Sequence, residues 1–427
     1  MSLGDFSKQE LEEVLTKAKE EYEGYKTKGL KLDMSRGKPC PEQLDLSNEM
    51  FSVLGKENDY ITENNIDTRN YGELSGIVEM KRIFSELLDV PNEKIFVGGN
   101  STLNLMFQTI SMAYTKGVVG SKASWGKLDK VKFICLVPGY DRHFAVTDYF
   151  GMELVAVPLT NDGPDMDILE ELVGNDDTIK GMWCVPLYSN PDGCIYSDEV
   201  IKRLATMKTA ANDFTIMFDN AYIVHNLYGN DVKVANILDE CEKAGNPNRA
   251  FVFSSTSKVT FPGAGVCCMA CNKESMDFFM KTAFISTIGY DKINMIRHAL
   301  YLKNRENILS LMKKHADIIR PKFDIVDTIL SKNLSKYGIA QWNKPQGGYF
   351  MSFNVYKGTA KKVYNMCKEA GVILTSPGAT FPYGKDPEDK NIRIAPTYPS
   401  VAELTNACEI LSLATLIAAI EEFVGIN

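Results

Sequence analysis

Apolar residues first recur at helical spacing over 6–28, where Leu11, Val14, Leu15, Ala18 and Tyr22 share one face of a Lys- and Glu-rich run. That period predicts an amphipathic N-terminal helix. From about residue 75 short apolar runs alternate with helical stretches. The runs are 94–97, 133–137, 153–157, 182–185, 215–218, 250–253 and 266–270, with helices predicted over 75–89, 103–113 and 198–209. A continuously apolar strand needs cover on both faces, so this alternation predicts an α/β fold with a seven-stranded, mostly parallel sheet covered by helices. Beyond about residue 290 the pattern changes to a long helix over 292–330, strands at 349–353 and 391–395, and helices over 359–370 and 401–422. The expected division is a large α/β domain over 51–295 and a small α+β domain over 296–427, the latter completed by residues 1–50.

Composition narrows the class. A chain of 427 residues exceeds one simple core, which agrees with two domains. The net charge of −8 comes from dispersed acidic residues, which argues against a nucleic-acid partner. No apolar run approaches the roughly 20 residues that cross a bilayer, and the first residues lack a signal-peptide pattern. Ten cysteines without regular spacing are expected to be reduced thiols in a cytoplasmic protein. Cys268 and Cys271 form a lone Cys-x-x-Cys in an apolar run with no second pair or nearby histidine, so no metal site is expected.

The chemistry collects where strands end, because ligands of open α/β sheets bind beyond the carboxyl ends of strands. The run ending at Val97 leads into Gly98-Gly99-Asn100-Ser101-Thr102 and a helix start, a place where backbone N–H groups and the helix dipole meet an anion. The next exits bring Pro138-Gly139-Tyr140, then Asn190-Pro191-Asp192-Gly193, then Asp219-Asn220-Ala221-Tyr222. A carboxylate directly after a buried strand is costly unless paired. The run 250–253 ends in Ser254-Ser255-Thr256-Ser257-Lys258. A lysine at the mouth of a buried strand is poorly hydrated, which lowers its pKa and lets it add to a carbonyl as a Schiff base. An amine, an N–H nest, an aromatic face and a carboxylate are the parts that pyridoxal 5′-phosphate needs. A carboxylate about 4 Å from the pyridine nitrogen contributes roughly 4 kcal/mol at an effective dielectric of about 20, enough to keep that nitrogen protonated near neutrality.

At this point the chain resembles the fold-type-I PLP-dependent aminotransferases of class I. The match runs through Tyr71-Gly72-x-x-x-Gly76, Asn190-Pro191-x-Gly193, Asp219-x-x-Tyr222, Ser255-x-x-Lys258 and Arg393. The local wording is most similar to the MocR-like subgroup of bacterial aspartate aminotransferases. The resemblance implies a homodimer with shared sites that carries an amino group from an amino acid, aspartate foremost, to a 2-oxo acid, 2-oxoglutarate foremost. It does so by a ping-pong route through an aldimine on Lys258. Asp219 would pair with the pyridine nitrogen, and Tyr222 and Asn190 with the ring oxygen, while Tyr140 stacks on the ring. Asn100, Ser101, Thr102, Ser255 and Ser257 would hold the phosphate, joined by Tyr71 of the neighbouring subunit. Arg393 would clamp the substrate α-carboxylate, Asn190 lies beside it, and Gly37 belongs to a loop that closes over the ligand. A dicarboxylic donor needs a second cation, for which Arg36, Lys38, Arg142 and Arg297 lie in suitable neighbourhoods, with Arg36 beside Gly37.

One position departs from the family. Many relatives place an arginine eight residues after the lysine, facing the phosphate, and here that position is Val266. Two other readings of the same parts exist: a PLP-dependent lyase or decarboxylase, and a PLP-sensing regulatory domain. About 35 residues precede the shared region, too few for a winged helix and without a basic cluster, so an enzyme is expected.

Overall fold

The apolar runs between residues 95 and 270 pair into one sheet. In spatial order its strands are Ile95–Val97, Cys267–Ala270, Ala250–Ser255, Thr215–Asp219, Ile179–Cys184, Lys132–Val137, Glu153–Thr160 and Gly163–Pro164. The computed structural model describes residues 2–56, 58–229 and 232–425. The five strands from Ala250–Ser255 to Glu153–Thr160 are parallel. Cys267–Ala270 runs antiparallel to both of its neighbours. The sheet has eight strands where the sequence pattern predicts seven. The eighth is the two-residue Gly163–Pro164, which folds back antiparallel on Leu159 and Thr160 and is too short to register as an apolar run.

Successive side chains of a strand point to opposite faces, and both faces of the central strands are buried, whereas Glu153–Thr160, near the sheet edge, alternates between buried and exposed positions. Ile134, Met182, Ile216, Phe218 and Val252 join one core with Ile83, Phe84 and Leu204. Phe133, Trp183, Met217, Phe251 and Phe253 join a second core with Leu105, Ile110 and Phe279. This doubly covered arrangement explains why the strands read as continuous apolar runs and not as alternating ones.

A third core unites the two ends of the chain. Leu11, Leu15, Ala18 and Tyr22 of the helix Lys8–Lys26 pack with Phe323, Val326, Ile410, Leu411 and Ile417. That helix starts at a capping box in which Ser7 and Glu10 satisfy each other's backbone N–H groups. Leu32–Asp33 pairs in parallel with Val372–Ile373, and Gln341–Trp342, Met351–Asn354 and Asn391–Ile394 form a three-stranded antiparallel sheet.

The single helix expected over 292–330 is two helices, Lys292–Leu302 and Arg305–Leu334. Lys303 takes a φ of 63°, and the Asn304 side chain accepts the Asn307 N–H at 3.0 Å, starting a new helix. The strand expected over 349–353 begins two residues later, at Met351, after a turn in which Gly348 has a φ of 81°. All ten cysteines are buried and free. No helix among the described residues is long and apolar enough to cross a membrane.

Candidate active site

Parallel strands end at one edge, so the exits converge there. They line a cavity of about 200 Å3 whose wall includes Gly37, Ser101, Thr102, Tyr140, Asn190, Asp219, Tyr222, Ser255, Ser257, Lys258 and Phe350. A second cavity of about 220 Å3 lies among Leu88, Leu187, Phe218, Asn220 and Arg305. It has no hydroxyl side chain, its one aromatic ring is Phe218 and its lysine, Lys233, is exposed, so the chemistry belongs to the first.

Lys258 follows the strand Ala250–Ser255 in a turn closed by the Val259 and Thr260 N–H groups, each donating to Thr256 O at 2.9 Å. Its Nζ lies 5.1 Å from the ring centre of Tyr222 and 5.8 Å from that of Tyr349. Burial pushes the amine pKa down from its ordinary value, with the nearby Asp219 charge opposing the shift. A lowered pKa places more of the free base within reach near neutrality.

Asp219 is the last residue of its strand and pairs in register with Phe253 of the lysine strand. Its Oδ2 accepts from His143 Nε2 at 3.0 Å, and its Oδ1 is buried with no partner among the described residues. The His143 ring stacks on Trp183 at 4.6 Å and meets Tyr140 edge-on at 4.9 Å. His143 is a site residue that sequence reasoning missed. Its one local signal is a position three residues after Tyr140, a turn into the helix Asp141–Tyr149. Burial, with the Asp219 charge adding to it, pushes the Tyr140 hydroxyl up to about 12. Burial likewise raises Tyr222 well above the usual tyrosine value.

Arg393 reaches the rim from the strand Asn391–Ile394. Its Nη1 donates to Asp141 Oδ1 at 3.1 Å and to Asn190 Oδ1 at 3.4 Å, while its Nε is buried without a partner among the described residues. The guanidinium also sits 4.9 Å over the Phe350 ring. The same ring touches Gly37, where an added Cβ would lie 2.4 Å from Phe350 Cζ. Phe350 and Asp141 are thus two further neighbours absent from the sequence reading.

The phosphate candidates divide. Ser101 precedes the helix Thr102–Lys116 and makes no side-chain cap, leaving the first helical N–H groups open. Ser255 and Ser257 hydrogen-bond each other at 3.1 Å. Asn100 is turned away: its side chain donates to Gly263 O at 3.3 Å, and its own carbonyl accepts from Ser257 Oγ. Val266 is buried with its N–H on Thr256 Oγ1, and among the described residues lining the cavity Lys258 is the only lysine or arginine. Arg36 is exposed on the loop that carries Gly37. Tyr71 points outward, 82% exposed, beside Gly289, Tyr290 and Lys292.

Against known proteins, the family described as aspartate amino-transferase matches residues 6–427. The chain belongs to that family. A Corynebacterium glutamicum aspartate aminotransferase is 45% identical over 423 residues, covering 99% of this chain and 98% of that protein. A crystal structure of an aspartate transaminase from the same organism superposes with a TM-score of 0.96 at 44% identity, covering 99% of each chain. The fold is shared more widely: the α-aminoadipate aminotransferase of Thermus thermophilus, solved with N-(5′-phosphopyridoxyl)-L-leucine, gives a TM-score of 0.75 at 18% identity over 93% of this chain and 94% of that one. The protein is therefore an aminotransferase of the fold-type-I architecture, and its family implies pyridoxal phosphate as cofactor.

Proposed function

We propose that this aminotransferase is a cytoplasmic homodimer that moves the amino group of aspartate to 2-oxoglutarate in two half-reactions, the first product leaving before the second substrate enters. The observation that carries the cofactor chemistry is Asp219: one oxygen is held by His143 and the other is buried, unpartnered, beside a cavity that also contains Lys258. The residues present fit pyridoxal phosphate, since a buried orphan acceptor, an uncapped helix start and a poorly hydrated amine match its nitrogen, phosphate and aldehyde. When bound, the cofactor supplies the electron sink that lets an amino acid release its Cα proton.

The rest is the work of this chain's own residues. Asp219 Oδ1 would face the pyridine nitrogen, with His143 fixing the carboxylate's rotation. Tyr140 would cover the ring, and Tyr222 and Asn190 would hydrogen-bond its oxygen. Ser101, Thr102, Ser255 and Ser257 would hold the phosphate through hydroxyls and N–H groups, with Asn100 bracing the loop. Lys258 Nζ would take the Cα proton and give it back, a task suited to its lowered pKa. Arg393 would grip the α-carboxylate with the donors that Asp141 and Asn190 leave free. Arg36, on the loop with Gly37, would meet the second carboxylate of aspartate as that loop closes. The aspartate assignment draws support from the name of the Corynebacterium relative.

Dimerisation draws support from Tyr71 and from Phe284, Ile285 and Ile288, which are 67%, 84% and 59% exposed in the single chain. A second copy would cover these side chains and receive Tyr71 at its own phosphate. Sedimentation showing a monomer at micromolar concentration would refute this arrangement.

The cofactor reading is tested by reconstituting the protein with pyridoxal phosphate and treating it with borohydride. The expected result is cofactor fixed on the peptide that contains Lys258, and none in Lys258→Ala. Absence of label in the wild type rejects the reading. Release of CO2, or of pyruvate with ammonia, from the amino acid would instead assign the site to lyase chemistry.

A further inference from the structure

The chain has four histidines, and every one is buried. His143 serves Asp219. Of the other three, His298 reaches Thr260, while His225 packs on Tyr349, the ring whose centre lies 5.8 Å from the Lys258 amine, and His315 is tied to Tyr349 through Gln43.

His298, on the helix Lys292–Leu302, lies between two oxygens. Its Nδ1 is 2.8 Å from Asn294 O, and its Nε2 is 3.0 Å from Thr260 Oγ1. A carbonyl only accepts, so Nδ1 carries the hydrogen and Nε2 is left to accept from the Thr260 hydroxyl. The same helix grips the far side of the lysine loop, since Asn294 Nδ2 donates to Ala264 O and Gly265 O at 3.0 and 2.9 Å.

His315, on the helix Arg305–Leu334, is oriented in a similar way. Gln43 Oε1 accepts the Cys40 N–H at 3.2 Å, so the other end of that amide donates, reaching His315 Nδ1 at 3.0 Å and Tyr349 OH at 2.9 Å. The hydrogen of the neutral ring then sits on Nε2, which is buried with no partner among the described residues. His225, in the segment after Asp219, has both ring nitrogens buried without a partner among the described residues. It meets Tyr222 and Tyr349 edge-on at 5.6 and 5.8 Å, the two rings over which the Lys258 amine lies. Among the described residues no backbone N–H reaches the carbonyls of Lys258 or Val259. Buried polar groups left this short of partners call for an explanation.

We propose that His225, His298 and His315 are positioning residues for Lys258, forming a seat that fixes the main chain of Lys258–Val259–Thr260 while the lysine side chain swings. Neutral imidazole suits the task, because a cation here would repel the amine. Burial holds these rings neutral, pushing His225 down to about 3 and His298 and His315 down to about 4. The importance of the seat rests on Lys258 being the reactive amine, but its existence can be read without that assumption.

The test is amide hydrogen exchange on peptides spanning 256–261 of the pyridoxal-phosphate-loaded protein, combined with steady-state kinetics. Thr260→Val, which keeps shape and removes the hydroxyl, and His298→Leu are each expected to speed exchange at Val259 and Thr260 about tenfold. Each should lower kcat about tenfold with KM for the amino donor within twofold, and the double variant should be no worse than either single one. His298→Gln, which retains an acceptor, should restore most of kcat, and His225→Leu and His315→Leu should move the same amides. A fall in melting temperature with exchange at 259–260 and kcat unchanged would overturn the proposal. Should His298→Leu fail to fold, Thr260→Val decides alone. Faster exchange in the variants of a wild type that lacks transaminase activity would uphold the seat and reject the role given to Lys258.

Discussion

Asp219 and Arg393 share a physical signature at the scale of single side chains: each leaves a polar atom buried and unpaired. Such an atom costs about 1–3 kcal/mol unless a ligand completes it. Replacing Asp219 by Asn keeps the shape and removes the charge that the cofactor nitrogen would meet. With about 4 kcal/mol at stake, kcat in a steady-state transaminase assay should fall about 1000-fold; a loss below tenfold would contradict the role. Arg393→Lys keeps a positive charge but loses the planar fork, so KM should rise about 10- to 100-fold for every amino donor. A rise confined to dicarboxylic donors would mean that Arg393 reads the side chain instead. These two residues were legible in the sequence because the strand ends and the family motifs mark them. His143 was not, since its partner Asp219 lies 76 positions away and nothing local announces the contact. Nor was the turning of Asn100 onto Gly263, a choice made by two loops that meet only in the folded chain.

At the scale of elements, strand positions were readable because burial on both faces demands unbroken apolar runs such as Ala250–Phe253, and the exits followed from where those runs stop. Boundaries set by a few polar atoms were less visible. The join between Lys292–Leu302 and Arg305–Leu334 depends on a positive φ at Lys303 and on Asn304 capping the next helix, within a stretch whose apolar period continues across the break. Asn304→Ala should therefore cost about 1 kcal/mol of stability, measured by equilibrium unfolding in urea. An unchanged midpoint would show that packing of Ile308, Leu311 and Met312 fixes the helix start without the cap. Gly163–Pro164 escaped for a different reason, as two residues carry no period at all.

Across the whole molecule, the buried histidines tie stability to pH. His225, His298 and His315 have folded-state pKa values of about 3 to 4 against an ordinary 6.5, so the unfolded chain binds more protons between those limits. Their contribution is complete above about pH 6.5 and is lost as pH falls toward 4, at up to about 1.4 kcal/mol per pH unit for each ring. Cofactor-free protein should accordingly unfold at markedly lower urea concentration at pH 5 than at pH 7; equal midpoints would contradict neutral, buried rings. The same molecule-wide view shows why the site needs the entire chain. Asp219 comes from the large sheet and Lys258 from the turn after its neighbouring strand, Arg393 from the small antiparallel sheet, and Gly37 from a loop near the N-terminus. Transfer of the amino group in separate halves, as proposed for this assembly, is resolved by single-turnover product analysis. Cofactor-loaded protein given aspartate alone should release one oxaloacetate per subunit and then stop. Subsequent 2-oxoglutarate should release one glutamate per subunit, and Lys258→Ala should release neither. Continuous product from aspartate alone, or no oxaloacetate until both substrates are present, would contradict the account.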